Sequence, residues 1–202
     1  MNAIKIEGLT KRYRDVLAVD SLFLDIEAGE LFSLLGVNGA GKTTTIKMLS
    51  CLTAPTSGDA YLLGKSIRQD TAAVKSLIAV SPQETAVAAG LSVRENLELM
   101  CGVHGFSKDK RAEKIRELTA LLGLESVIAR SDLWDVIRAL KGKVTIILTT
   151  HYMEEAEALS DRIGIMKDGK LLLCDTAENI KAAAGVDDFE QAFIRIVKGD
   201  AQ

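Results

Sequence analysis

Residues 36–44 read Gly-Val-Asn-Gly-Ala-Gly-Lys-Thr-Thr, and this stretch decides the fold. It matches the pattern GxxxxGK[ST] without a gap, and it lies between a predicted strand at 31–35 and a predicted helix from Gly41 to about Leu52. Glycines allow the backbone to curl so that successive N–H groups point at phosphate oxygens, and the helix start adds positive partial charge. The stretch therefore predicts a loop that cradles the phosphates of a nucleoside triphosphate.

The side chains of this phosphate loop fit the same chemistry. Lys42 can reach the β- and γ-phosphates, and the Thr43 hydroxyl can ligate a magnesium ion. We expect the nucleotide to contact eight residues of the loop: Gly36, Asn38, Gly39, Ala40, Gly41, Lys42, Thr43 and Thr44.

Strands and helices alternate on both sides of the loop. Apolar runs rich in branched residues predict strands at 4–6, 22–26, 31–35, 59–63, 77–80 and 144–148, with a hairpin joining 162–166 to 171–173. Helical periodicity predicts helices at 92–101, 107–122, 132–140, 151–161, 176–184 and 187–197. This alternation predicts an α/β fold with a largely parallel sheet and an antiparallel β flank.

The composition excludes several classes of protein. The chain has 202 residues, 48% of them apolar and only two of them proline, which is typical of an ordered globular domain. A formal charge of −3 gives no electrostatic reason to expect nucleic acid as a partner. Three widely spaced cysteines without a CxxC pair favour reduced thiols in a cytosolic protein. No signal peptide is evident, and the apolar runs are too short to span a bilayer, so another chain would have to supply any membrane part.

The residues around the loop carry a more specific resemblance. Residues 9–13 (LTKRY) and 18–20 (AVD) are similar to the opening of the ATP-binding cassette (ABC) family, in which an aromatic residue at the position of Tyr13 stacks on adenine. Residues 80–83 (VSPQ) resemble the family's Q-loop, whose glutamine, here Gln83, contacts magnesium and water and faces the membrane partner.

A third motif follows the predicted strand at 144–148. The sequence Thr149-Thr-His151, with an acidic helix after it, resembles the family's switch segment, whose histidine contacts the γ-phosphate. The resemblance implies a P-loop NTPase fold, ATP and Mg²⁺ as cofactors, and His151 and Gln83 as catalytic residues, with Thr43 and Gln83 at the metal. It also implies a separate transmembrane permease, a second ATP-binding subunit, and a cytoplasmic protein peripheral on the inner face of the membrane. The tail around 167–171 looks most like the branch that exports drugs, antibiotics or lipids.

Two elements that the family carries between the Q-loop and the switch histidine are missing. The chain contains no Ser-Gly-Gly for the signature sequence and no Asp-Glu pair to end a Walker B strand. The run Leu22-Phe-Leu-Asp25 imitates Walker B, but it precedes the phosphate loop. Because the interval from Gln83 to His151 is also shorter than the family's, we expect an internal deletion, or a truncated product, with its seam between about 129 and 132.

These absences predict impaired hydrolysis. In the family the Walker B Asp helps to hold magnesium and its Glu neighbour polarises the attacking water. The signature acts across a dimer, so two copies of this chain would not complete a site. The lost strand would have neighboured the strand at 144–148, which predicts an unpaired edge. Neither Glu84 nor Glu154 is expected to act as a substitute base, since that work requires placement within hydrogen-bond reach of the water.

The predicted domain organisation follows from the resemblance. Residues 1–175 form an ABC-type ATP-binding domain with a truncated helical subdomain at about 84–130, and residues 176–202 form a C-terminal helical appendage. Two alternatives stay open. One is a non-catalytic regulatory module or a folding-impaired remnant. The other is a small phosphotransferase, which needs an arginine-lined lid, whereas the basic residues at 108–116 look like a solvated helix face.

Overall fold

The computed structural model describes residues 1–80, 93–121, 137, 140–150 and 152–199. The chain divides into two compact units, one formed by Met1–Ala79 with Leu140–Gln202 and the other by Val80–Ala139. In the second unit the described helices are α3 (Val93–Val103) and α4 (Lys108–Leu121), which pack against each other.

The first unit contains two four-stranded sheets and the helices around them. In chain order its elements are β1 (Asn2–Tyr13), β2 (Val16–Glu27), β3 (Leu31–Gly36), α1 (Lys42–Leu49), β4 (Ser57–Leu62), β5 (Lys65–Ser66), α2 (Thr71–Leu77), β6 (Ile146–Thr149), α5 (Met153–Leu159), β7 (Arg162–Lys167), β8 (Lys170–Asp175), α6 (Ala177–Ala184) and α7 (Phe189–Lys198).

The two sheets differ in strand direction. The first sheet has the order β2-β1-β4-β5 and is antiparallel throughout. The second has the order β6-β3-β7-β8, in which β6, β3 and β7 are parallel and β8 is antiparallel. The predicted α/β fold, with a parallel core and an antiparallel flank, is confirmed.

The apolar core lies on both sides of β3. Leu34 faces one buried cluster, which includes Met48 of α1 and the inner residues of β1 and β2. Leu35 faces a second cluster, to which α6 and α7 contribute, with Phe189 almost fully buried. Because both faces of β3 are covered, all six of its residues are buried, as expected for the central strand of a parallel sheet.

A charged contact joins β7 to residues of β2 and of the β2–β3 connection. The guanidinium of Arg162 contacts the Glu30 carboxylate at 2.8 Å and donates to the Asp25 carbonyl at 2.6 Å. The same carboxylate accepts the Glu27 N–H at 2.7 Å. The Glu30 hydrogen bond raises the pKa of Arg162. Glu30 is buried, and a buried charge is costly unless it is paired. Here the Arg162 guanidinium and the Glu27 N–H compensate the charge of its carboxylate.

One strand prediction was wrong. Residues 77–80 form no strand; instead α2 occupies Thr71–Leu77, and Leu77 and Val80 are about half exposed. Val74, the buried residue of this short helix, packs in the core, and just before the helix the Asp70 carboxylate accepts the Ser66 N–H at 3.1 Å. The predicted helix at 132–140 lies mostly outside the described residues.

Candidate nucleotide-binding site

The phosphate loop connects the end of β3 to the start of α1. The loop closes on itself, since the Ala40 N–H donates to the Val37 carbonyl at 3.1 Å. Gly41 is the N-cap of α1, and its carbonyl accepts the Thr45 N–H at 2.9 Å and the Thr45 hydroxyl at 3.0 Å. The first turn of α1 contains no acidic residue. The positive end of this helix is therefore directed at the loop, and no side chain of the helix's own first turn neutralises it.

Glycine is required at two places in the loop. A Cβ atom on Gly36 would lie 2.5 Å from the Met166 carbonyl oxygen and 2.9 Å from the Ala40 Cβ. Gly41 has a φ of 103°, and a Cβ there would lie 2.5 Å from the Ala18 carbonyl oxygen. A side chain at either position would displace the backbone, so the loop keeps this close-packed shape only with glycine.

Lys42 supplies the positive charge of the loop. Its ammonium donates to the carbonyl oxygens of Gly36 and, at 3.1 Å, of Val37. Burial lowers the pKa of Lys42. Neither hydrogen bond is to a carboxylate, so a cation is held inside the loop without a countercharge from these contacts. An incoming phosphate would supply that charge.

The eight predicted residues all lie within this loop and the first turn of α1, and their exposure fits their predicted tasks. The side chains of Asn38 and Thr43 are exposed, Thr44 is half-buried, and Ala40 and Gly41 are buried behind the loop. The exposed Thr43 hydroxyl is free to meet a magnesium ion that a bound nucleotide brings. The backbone curvature, the lysine and the hydroxyl therefore fit a Mg²⁺-bound polyphosphate.

Tyr13 lies at the end of β1, opposite Val16 of β2. Its ring is 44% exposed, and the Lys11 ammonium lies 4.9 Å from the ring centroid. Two residues along β2 from Val16, the Ala18 carbonyl lies beside Gly41 of the loop. The strand that pairs with Tyr13 thus leads directly to the phosphate loop, and the assignment of Tyr13 to adenine stays a prediction.

Gln83 and His151, the two predicted catalytic residues, lie outside the described residues. The strand before His151 is described. β6 runs parallel to β3, and its last residue, Thr149, is level with Leu34, two residues before Gly36. Because the carboxyl ends of parallel strands meet at one edge of a sheet, β6 ends at the edge that carries the phosphate loop. Next to this end, the buried Thr150 hydroxyl donates to the Glu155 carboxylate at 2.9 Å.

The sequence analysis missed one part of the site. The Gly169 N–H, in the turn between β7 and β8, donates to the Ala40 carbonyl at 3.1 Å. The Asp-Gly pair at 168–169 predicts a tight turn, but no pattern in the sequence indicates that this turn contacts a loop more than one hundred residues away.

Comparison with known proteins places the chain in a family. Residues 19–140, more than half of the chain, match the family described as ABC transporter. The chain belongs to that family. It is 30% identical to the probable multidrug ABC transporter ATP-binding protein YbhF of Escherichia coli K12, covering 96% of this chain and 41% of YbhF. It is 32% identical to the daunorubicin/doxorubicin resistance ATP-binding protein DrrA of Streptomyces peucetius, covering 91% of this chain and 68% of DrrA.

Solved structures agree on the fold. An ATP-binding subunit of an ABC transporter superposes with a TM-score of 0.82 at 19% identity, covering 96% of this chain and 99% of the other. The ATP-binding cassette MJ0796, solved as a dimer with ADP and Pi, gives a TM-score of 0.71 at 18% identity, over 86% of this chain and 98% of the other.

The alignments to the relatives are longer than this chain. The alignment with YbhF runs over 240 positions and that with DrrA over 224, whereas the chain has 202 residues. Within the aligned region, both relatives therefore have residues to which no residue of this chain corresponds. Within the part of the chain that the structure describes, no helix has the length and apolar character needed to cross a bilayer.

Proposed function

We propose that this chain is the ATP-binding subunit of an ABC exporter, which binds MgATP to drive a separate membrane subunit and hydrolyses it poorly. The observation that carries the proposal is the phosphate loop itself. Gly36 and Gly41 allow no side chain, the described hydrogen bonds of Lys42 go to two carbonyl oxygens of the loop, and α1 begins directly behind them. The full length of YbhF extends well beyond this chain, which spans 41% of it.

Each loop residue has a definite task in this proposal. The N–H groups at the start of α1 bind phosphate oxygens, and the Lys42 ammonium neutralises the β- and γ-phosphates. The Thr43 hydroxyl holds the magnesium ion, to which Gln83 adds a contact. When bound, Mg²⁺ would offset the charge of the phosphates. Tyr13 stacks on adenine and His151 contacts the γ-phosphate.

Impaired hydrolysis rests on what the sequence lacks. The chain has neither an Asp-Glu pair nor a Ser-Gly-Gly, so the residues that hold magnesium and polarise water in the family have no counterpart. The longer alignments of the relatives support an internal deletion. We place it near 129–132, within the ABC-type domain (1–175) and at the end of its helical subdomain (about 84–130). Among the described strands, β6 pairs only with β3, which also agrees with the loss of a neighbouring strand.

The proposed partners are a transmembrane permease and a second ATP-binding subunit, with the chain peripheral on the cytoplasmic face of the membrane. Support comes from the relatives, because DrrA is a drug-resistance ATP-binding protein and human ABCA3, 33% identical, is a phospholipid-transporting ATPase. MJ0796 was solved as a dimer. An intact second subunit would present its signature to this chain's loop.

Isothermal titration calorimetry with MgATP tests the binding half. We expect saturable binding by the wild-type chain and a loss of about 100-fold or more in affinity for Lys42→Ala, because a half-buried cation then no longer meets the phosphates. Lys47→Ala is the matched control, since Lys47 lies on the same helix but is exposed. Folded wild-type protein that gives no saturation, or equal effects of the two variants, would overturn the proposal.

A phosphate-release assay tests the second half. We expect the purified chain to release no more phosphate than its Lys42→Ala variant. Robust turnover that Lys42→Ala abolishes would show that the chemistry is intact. A thermal melt on the same samples addresses the remnant alternative, because a stable module unfolds cooperatively and a folding-impaired remnant does not.

A further inference from the structure

Two turns of this chain have the same backbone and different surroundings. Leu63-Gly64 joins β4 to β5 with φ angles of 48° and 79°, and Asp168-Gly169 joins β7 to β8 with 49° and 80°. Two consecutive positive φ angles are typical of the tight hairpin turn that matches strand twist. A Cβ added to Gly64 would meet nothing within 4 Å, whereas one on Gly169 would lie 3.1 Å from the Ala18 carbonyl oxygen. The turn at 168–169 is thus the one that packs against the nucleotide site.

The 168–169 turn is bonded on two sides. Its Gly169 N–H donates to the Ala40 carbonyl of the phosphate loop at 3.1 Å, and its Gly169 carbonyl accepts the Asp20 N–H of β2 at 2.9 Å. Gly41 packs between the same elements, since a Cβ there would lie 3.4 Å from the Gly169 Cα and 2.5 Å from the Ala18 carbonyl oxygen. The turn and β2 together form the back wall of the loop.

The hairpin is itself fixed in place. Before the turn, Met166 is fully buried in the core, and the Lys167 ammonium donates to the Val197 carbonyl of α7 at 2.7 Å. After the turn, Lys170 lies 3.4 Å from the Asp20 carboxylate. A turn held at both flanks can impose a position on the loop that it touches.

We propose that the 168–169 turn is a positioning element that aims the Gly41 N–H at the bound phosphates. The C=O and N–H of one trans peptide point in opposite directions. Because the Ala40 carbonyl is held toward Gly169, the N–H of the same peptide, which belongs to Gly41, points to the opposite side, toward the space that the loop encloses. The inference rests on the proposed nucleotide binding and adds Gly169, which touches no phosphate, to the residues that determine affinity.

The test compares Gly169→Ala with Gly64→Ala. Both substitutions put alanine at the same positive φ, so both incur the same backbone strain, but only the first presses a Cβ against the Ala18 carbonyl behind the loop. We expect Gly169→Ala to lower the affinity for MgATP by about tenfold, because the Gly41 N–H no longer points at the phosphates. Gly64→Ala should lower it by less than about twofold. Magnesium pyrophosphate is the second probe. It lacks the nucleoside, so if only the phosphate contacts are affected, Gly169→Ala should lower its affinity by the same factor as that of MgATP.

Hydrogen exchange in the nucleotide-free protein gives a readout that does not require binding. Gly169→Ala should lower the protection of the Asp20 and Thr45 amides, which Gly64→Ala should leave unchanged. If the Gly169→Ala variant has too low a melting temperature for these measurements, the comparison is made between Gly169→Asn and Gly64→Asn instead. Asn tolerates left-handed backbone yet still carries a Cβ. Equal affinities and equal exchange in a matched pair would overturn the positioning role. Wild-type protein that binds neither probe would overturn the proposed function, and the exchange comparison then decides the role of the turn by itself.

Discussion

Strands β3 and β6 are parallel neighbours with apolar sequences, yet they differ in burial. All six residues of β3 are buried, whereas three residues of β6 are half-buried and its last is exposed. β3 lies between β6 and β7, while β6 pairs with β3 alone among the described strands. The sequence predicted a strand in both places, and an unpaired edge beside the strand at 144–148. An apolar sequence therefore predicts that a segment is a strand, but the number of neighbouring strands determines how deeply that strand is buried.

The largest expected difference lies in the middle of the two strands. Phe32→Ala in β3 should lower the free energy of unfolding by about 3–5 kcal/mol, because it empties a fully buried site. Ile147→Ala in β6 removes a half-buried side chain and should cost about 1–2 kcal/mol. Urea denaturation of both variants measures the two losses. Similar losses would mean that β6 is as deeply packed in solution as β3.

The starts of the two strands should differ by less. Glu30→Gln, one residue before β3, keeps the shape of the side chain but removes the charge that faces Arg162, and should cost about 2 kcal/mol. Thr145→Val, one residue before β6, removes the hydroxyl that accepts the Gly29 N–H at 2.9 Å and should cost about 1 kcal/mol.

A surface pair provides the control for that comparison. Glu7→Gln removes a contact of 2.6 Å to Lys5, against 2.8 Å between Glu30 and Arg162, but both side chains of the surface pair are about half exposed. Its effect on the urea midpoint should therefore be smaller than that of either variant at the strand starts. If Glu30→Gln proves as mild as Glu7→Gln, the contact of Glu30 with Arg162 contributes nothing to the fold.

The smallest effect concerns the ends of the strands and depends on pH. Burial lowers the pKa of Lys42, just after β3, and bound phosphate favours its charged form. MgATP affinity should hence be constant at neutral pH and fall several-fold as the pH rises through this lowered pKa, at values below 10.5. Calorimetry between neutral and alkaline pH measures the decline.

Two variants sharpen the pH comparison. Lys42→Arg should remove the decline, because arginine keeps its charge throughout this range. Thr150→Val, just after β6, should leave the decline unchanged, because Thr150 bonds Glu155 and contacts no group of the loop in the described bonds. In the nucleotide-free protein the sign reverses, since a lysine with a lowered pKa makes stability rise with pH through the same window. A decline that persists in Lys42→Arg would assign the titration to another group.

Sequence patterns were most successful where local chemistry is strong. The loop at 36–44, the hairpin around Asp168-Gly169 and the two closing helices were all predicted within a few residues of their observed bounds. Thr176 and Asp188 explain the latter, because each caps its helix through a side-chain hydrogen bond. The error at 77–80 arose because four residues resemble a strand, whereas the structure has a helix that ends at Leu77 and leaves Leu77 and Val80 about half exposed.

Residues next to one another were enough to predict a loop of glycines and a lysine between a strand and a helix, because that requirement is local. The fold had to be known to find that Gly169 and Ala18 form the back of this loop, that Glu30 meets Arg162, and that β6 is less buried than β3. These contacts join residues far apart in the chain, and they depend on strand order and on what packs beside each strand.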